Sequence, residues 1–153
     1  MDDRLDAGTL CTRVVTFAER GMPVSEAAQL MRGQHVGCLV VVDETAAGRV
    51  PVGVLTDRDI VTAVVARDVD ARTLRVEDVM SADPVVVPED MSVIDLLRTM
   101  RAKGLRRLPV VGAAGVLAGL VTLDDLLGVI AEELHATVAA IEAEQAREAR
   151  ERR

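Results

Sequence analysis

The chain has 153 residues and a formal net charge of −7; half its residues are hydrophobic, yet it holds one Phe and no Tyr or Trp. That length fits one compact domain or two very small ones, and the apolar half can bury a core, which excludes a disordered tail. The acidity and the missing aromatic rings exclude the usual nucleic-acid binders, which need a basic face for phosphates and stacking platforms for bases. The first residues, Met1-Asp2-Asp3-Arg4, are acidic and lead into no apolar stretch, so no signal peptide is expected. The longest apolar run, Val36 to Val42, is far short of the ~20 residues of a membrane span and reads as a buried strand. Two cysteines, Cys11 and Cys38, make no disulfide framework. The expectation is a reduced, cytoplasmic protein with no membrane partner.

Taken in chain order, the elements come twice. Arg13 to Phe17 is a short β-branched stretch and predicts a strand. Pro23 then opens a helix whose apolar positions Val24, Ala27, Ala28 and Met31 share one face, with Gly33 near its end. Cys38 to Val42 predicts a buried strand, Asp43 to Arg49 a polar hairpin loop, Val50 to Leu55 a third strand, and Asp57 the start of a second helix. A charged linker, Arg67 to Arg72, follows, and Val76, Val79 and Met80 predict a short helix. The order then repeats. Pro84 to Val87 predicts a strand; Ser92, with Asp95 three residues on, caps a helix carrying Val93, Leu96, Leu97 and Met100 and ending near Gly104. Leu108 to Val111 and Gly115 to Val121 predict two strands, and Leu123 starts the last helix.

Shifting the chain along itself by 69 positions lays Met22, Val24, Met31, Arg32, Val41 and Val42 on Met91, Val93, Met100, Arg101, Val110 and Val111. At a shift of 66, Gly53, Thr56 and Asp59 fall on Gly119, Thr122 and Asp125, so the first copy holds three extra residues in its hairpin, where length costs little. Two long copies point to a duplicated α/β (α+β) unit, β-α-β-β-α twice about a pseudo-two-fold axis, rather than a solenoid, which needs three or more repeats. Repeat 1 is expected over residues 8–70, repeat 2 over 74–131 and a C-terminal helical extension over 132–153. Along the last helix, from Asp124 to the C-terminus, Leu127, Ile130, Leu134, Val138 and Ile141 form a narrow apolar seam, and Glu144–Arg147 and Glu148–Arg152 are spaced to pair. Such a seam serves either a helix that outruns its core contact or a docking or dimer helix.

Both copies carry glycine, two apolar residues, threonine, two variable residues and aspartate: Gly53-Val54-Leu55-Thr56-Asp57-Arg58-Asp59 and Gly119-Leu120-Val121-Thr122-Leu123-Asp124-Asp125. Thr at a strand end with an acid three residues on is a helix N-cap with its capping-box partner. The same geometry suits a ligand. A helix N-terminus presents unpaired N–H groups to a phosphate, a carboxylate beside it accepts from two vicinal hydroxyls such as a ribose offers, and Gly lets another backbone approach.

With these motifs in tandem, the chain resembles a pair of CBS domains, the module first named from cystathionine β-synthase. Val24, Ala27, Leu30, Met31 and the run His35 to Asp43 carry the resemblance in copy one; Val79-Met80, Asp83-Pro84-Val85 and Leu105 to Val111 carry it in copy two. The resemblance implies two clefts between facing sheets, commonly holding AMP, ADP, ATP or S-adenosylmethionine as regulatory ligands, and a homodimer built from four repeats. It implies that one cleft combines Thr56 and Asp59 with Pro84, Val85, Arg106 and Arg107, and the other Thr122 and Asp125 with Val14, Val15, Thr16, Val36 and Gly37. The Asp would hold the ribose, aliphatic walls the adenine, and an arginine the phosphates, whose oxygens a guanidinium matches. Gly37 and Cys38 stand where copy two has Arg106 and Arg107, so the first cleft is expected to favour polyphosphates and the second nucleosides or neutral ligands.

The remaining residues offer no catalytic or metal site. His35 and Cys38 lack the further ligands a zinc site needs, and the paired aspartates have no nucleophile–base companion. Cys11 and Cys38 read as buried inert thiols rather than a redox pair. No cofactor is required by this reading. Three functions remain: an adenine-nucleotide-sensing module, a ligand-free interaction module of the same fold acting through dimerisation, and, least favoured, a small enzyme.

Overall fold

The computed structural model of the protein describes residues 5–152. It contains two sheets, each backed by helices. The first has strand order β1 (Phe17–Glu19), β2 (Cys38–Thr45), β3 (Gly48–Thr56) and β4 (Ser81–Ala82); the second is β5 (Val87–Pro88), β6 (Arg107–Val111) and β7 (Leu117–Thr122). In both, a parallel pair precedes an antiparallel hairpin, and the register irregularity falls at equivalent places, Val41/Val42 and Val110/Val111. The crossover helices are α2 (Val24–Gln34) and α5 (Val93–Lys103), as the apolar spacing predicts.

Two short helices, α1 (Ala7–Leu10) and α4 (Val76–Val79), precede the repeats, and the sequence reading found only the second. Each closes the other repeat. Val76 is fully buried in one core cluster with Ala27, Met31, Leu39, Val41 and Leu55, while Ala7 is fully buried in the other with Leu96, Leu108, Val110, Val121 and Leu126. The Ala7 and Gly8 N–H groups donate to Met91 and Glu89 carbonyls at 2.9 and 2.8 Å, and Val76 N–H donates to the Met22 carbonyl at 2.8 Å. Burying apolar side chains at both crossings locks the repeats together.

This crossing explains the main difference from expectation. The stretch Arg13 to Phe17 is not one strand: Thr12 bridges Leu120 at the edge of the second sheet, and β1 begins only at Phe17 in the first. Of Pro84 to Val87 only Val87 joins a strand: β4 pairs with β3 upstream, at Ser81–Ala82, and β5 starts at Val87. Val14 to Thr16 and Asp83 to Val86 are the segments that pass between sheets, so their β-branched residues extend the chain without joining a ladder, and Val14 is 90% exposed.

Smaller corrections follow from local geometry. Pro23 sits at the N-cap of α2 and supplies no side-chain bond. His35, at φ 54°, ends α2 in the left-handed region, whereas Gly33 lies inside it; in α5 that terminal role falls to Gly104, at φ 64°. The three extra residues of copy one lengthen β2 and β3 instead of the loop, leaving only Ala46-Ala47 as the turn. The helices that follow the two motifs diverge: α3 (Asp57–Ile60) passes into a π turn, Val61–Val65, while α6 runs unbroken from Leu123 to Glu151. Along α6, Arg152 pairs with Glu148 at 3.7 Å as expected, but Arg147 reaches forward to Glu151 at 3.8 Å instead of back to Glu144.

Candidate functional site

The two motifs close in the same way. Thr56 caps α3: its hydroxyl accepts from Asp59 N–H at 3.2 Å, and Asp59 Oδ2 accepts from both the Thr56 N–H and the Thr56 hydroxyl at 2.8 Å. Thr122 and Asp125 repeat these contacts at 3.2, 2.8 and 2.8 Å on α6. The capping reading therefore holds in both copies. It does not use the carboxylate up, because all the bonds fall on Oδ2 and Oδ1 has no protein partner among the described residues. A carboxylate so anchored keeps an oriented acceptor at the mouth of the strand–helix junction.

The motif glycines do what the sequence reading asked of them. A methyl group at Gly53 would stand 3.0 Å from the Ser81 carbonyl, and one at Gly119 would stand 2.9 Å from the Thr12 carbonyl. The close approach is that of the crossing strand, so the motif glycine and the crosswise closure belong together.

Around Thr56 and Asp59 the structure opens a cleft of about 470 Å³. All six residues expected there, Thr56, Asp59, Pro84, Val85, Arg106 and Arg107, line it. Val54, Leu105 and Pro109 complete apolar walls, and Cys38 forms part of the floor. Burial pushes the Cys38 thiol above its ordinary value, only partly offset by the nearby Arg107 guanidinium. Two charged residues were missed. Lys103 lines the cleft at the end of α5, and so does Asp83, held at φ 52° where the chain passes between sheets. Lys103 was legible in principle, since it stands four residues before Arg107 and just ahead of Gly104. Arg106 lies 3.9 Å from Asp124, both well exposed, which leaves its guanidinium to water.

The second set of residues is arranged differently. Val14 and Val15 line a separate hollow of about 380 Å³ with Arg13, Phe17, Arg49, Val116 and Leu117, and neither Thr122 nor Asp125 borders it. Thr16, Val36 and Gly37 do not border it either. Gly37 is pressed against α3: its carbonyl accepts from Asp57 N–H at 3.0 Å, and any side chain there would meet the Asp57 carboxylate at 2.9 Å. The Lys103, Arg106 and Arg107 positions of copy two correspond to Gln34, Gly37 and Cys38 in copy one, so those three charges have no counterpart at the same positions; the arginines of the second hollow, Arg13 and Arg49, are paired with Glu89 and Glu44. Cys11 and Cys38 are both buried free thiols that form no pair, Cys11 packed under Gly119 and Cys38 lining the cleft, which Cys11 does not border.

Fold and cleft together define a duplicated α/β protein with a charged, apolar-walled pocket between its repeats. The CBS-domain family model matches residues 7–66 and 76–132, and the chain belongs to that family. An uncharacterised protein of Methanopyrus kandleri is 35% identical over 125 residues, covering 82% of this chain and 62% of its own length. Among solved structures, a hexameric CBS-CP12 protein from bloom-forming cyanobacteria superposes with a TM-score of 0.72 at 29% identity, over 82% of this chain and 67% of that one. The cytosolic domain of the Mg2+ channel MgtE, solved in complex with ATP, superposes with a TM-score of 0.69 at 32% identity, over 81% of this chain and 48% of that one. No helix among the described residues is long and apolar enough to cross a membrane.

Proposed function

We propose that this chain is a regulatory module that binds an adenine nucleotide in the Thr56–Asp59 cleft and acts by changing the packing of its repeats. The observation that carries the reading is the convergence, in one 470 Å³ cleft, of an anchored carboxylate, aliphatic walls and three cations, Lys103, Arg106 and Arg107. Asp59 Oδ1 accepts from the ribose hydroxyls, Val54, Pro84, Val85 and Pro109 hold the adenine between aliphatic surfaces, and the cations take the phosphates. Asp83 and Asp59 repel phosphate and so fix which end of the ligand faces the cations. The ATP complex of the MgtE cytosolic domain supports the choice of ligand class. The Thr122–Asp125 junction, lacking the cations, takes a nucleoside or neutral ligand if it takes one. Because the cleft lies between segments of both repeats, a ligand that prefers one packing shifts the population toward it.

The test is titration calorimetry with ATP and adenosine, beside thermal shift, where a ligand at ~100 times its Kd adds ~2.7 kcal/mol. Asp59→Ala is expected to weaken both ligands in the first cleft while Asp125→Ala leaves ATP binding intact. Giving the first cleft the residues of the second, Lys103→Gln with Arg106→Gly and Arg107→Cys, is expected to weaken ATP by at least about tenfold and spare adenosine, since only the charge-assisted bonds are lost. Equal ATP losses in the two aspartate variants would sink the asymmetry. Absence of any shift with AMP, ADP, ATP or S-adenosylmethionine would leave the ligand-free interaction module as the reading.

A further inference from the structure

The cationic wall of the cleft is tied to the first turn of α6. Lys103 ends α5, Arg107 begins β6, and Arg106 stands between them. The Arg106 carbonyl accepts the Leu123 N–H at 2.8 Å, and Arg107 is the ladder partner of Thr122, so the wall and the start of α6 share one joint. Asp124 belongs to that same turn and does not border the cleft. Its Oδ1 lies 3.9 Å from the Arg106 guanidinium, near enough to attract it and too far for a hydrogen bond.

The fold itself does not call for an acid at this position. The cap of α6 is made by Thr122 and Asp125, and Asp124 takes no part in it. An acid in the first turn suits the helix dipole, yet the equivalent residue of copy one, at a shift of 66, is Arg58, so the turn forms without one. Gly37 stands in copy one where copy two has Arg106. Neither member of the pair therefore occurs in copy one; acid and arginine arrive together, beside the charged cleft. Arg106 then has two anionic claimants, Asp124 at the start of α6 and a phosphate in the cleft. Its side chain is 72% exposed and can turn toward either. The backbone bond to Leu123 keeps Asp124 within its reach.

We propose that Asp124 is a specificity-determining residue that acts through Arg106: it competes with ligand phosphate for the guanidinium and so lowers the affinity for polyphosphates while leaving that for nucleosides unchanged. For its ligand the inference rests on the nucleotide reading. Asp124→Asn keeps the size and removes the charge. Because the pair is exposed, ATP affinity by calorimetry is expected to rise only about twofold to fivefold, with adenosine unaffected. Asp124→Glu is expected to stay close to the wild-type value. In an Arg106→Gln background, Asp124→Asn is expected to change nothing, which separates action through Arg106 from direct repulsion of the phosphates. Inorganic triphosphate, which carries the charge without base or ribose, is titrated beside ATP, and melting curves without ligand confirm that each variant is folded. Triphosphate following the same pattern while ATP fails to bind would support the role of Asp124 and sink the nucleotide reading. ATP binding untouched by Asp124→Asn, or a gain that survives Arg106→Gln, would overturn the proposal and leave that reading standing. Binding of neither polyanion would overturn both.

Discussion

The two strand–helix junctions carry the same bonds at the same lengths, yet only one stands in a charged cleft. Thr56–Asp59 and Thr122–Asp125 differ by nothing in their own geometry. What differs is supplied from elsewhere: Lys103, Arg106 and Arg107 face the first, while Gln34, Gly37 and Cys38 are their equivalents in copy one. Duplication preserves the cap because helix and strand both need it, and frees the opposing wall to change. The cations of the cleft therefore sit in the asymmetric part of a symmetric scaffold.

The scaffold's symmetry can be tested where it is deepest. Leu39 and Leu108 are equivalent, fully buried, and central to their clusters. Leu39→Ala and Leu108→Ala are each expected to cost about 2–5 kcal/mol, with a single unfolding transition in denaturant for both. One transition is required because α1 and α4 close the opposite repeats. Two separated transitions, or a loss at one site only, would break the equivalence.

A smaller effect separates the two motif glycines. At Gly119 a methyl group meets the Cys11 thiol, the Cys11 Cβ and the Thr12 carbonyl, mostly atoms that cannot swing away. At Gly53 its nearest neighbour is the Met80 sulfur, on a side chain that can. Gly119→Ala and Gly53→Ala are expected to cost about 1–3 kcal/mol, more at Gly119, read as a Tm drop of roughly 2–4 °C per kcal/mol. A reversed order would mean that the Thr12 crossing yields more easily than the Ser81 crossing.

Much of this architecture was legible because apolar period and motif spacing are local signals. The helix faces of Val24–Met31 and Val93–Met100 and both Thr–Asp caps follow from spacing alone. The wall of the first cleft was legible through the family resemblance, which set Arg106 and Arg107 opposite Thr56. The crossings were not legible. Arg13 to Phe17 has the composition of a strand whether it joins one sheet or passes between two, and only the long-range pairing of Thr12 with Leu120 decides. α1 is a four-residue turn with too few positions to show a period. Lys103 is legible only through its place four residues before Arg107, and Asp83, a lone charge before a proline, carries no spacing of its own.

The least effect is expected where the repeats have no equivalent, the linker. The Asp70 carboxyl is held down to about 2, from an ordinary 3.8, by side-chain bonds from Arg72 at 2.8 to 3.2 Å and a backbone bond from the Arg72 N–H at 3.0 Å. A carboxylate with a lowered folded pKa contributes stability that is present above pH 4 and is lost as pH falls through 4 toward 2. The pair is exposed, so solvent screens most of it. Arg72→Ala is expected to raise the Asp70 pKa only partway to 3.8, because the backbone N–H remains, and to leave Tm at pH 7 unchanged within error. Carbon-detected NMR titration of the Asp70 carboxyl and melting curves from pH 2 to 7 measure both. A Tm loss at neutral pH would mean that the linker, and not the crosswise burial of Ala7 and Val76, holds the two repeats together.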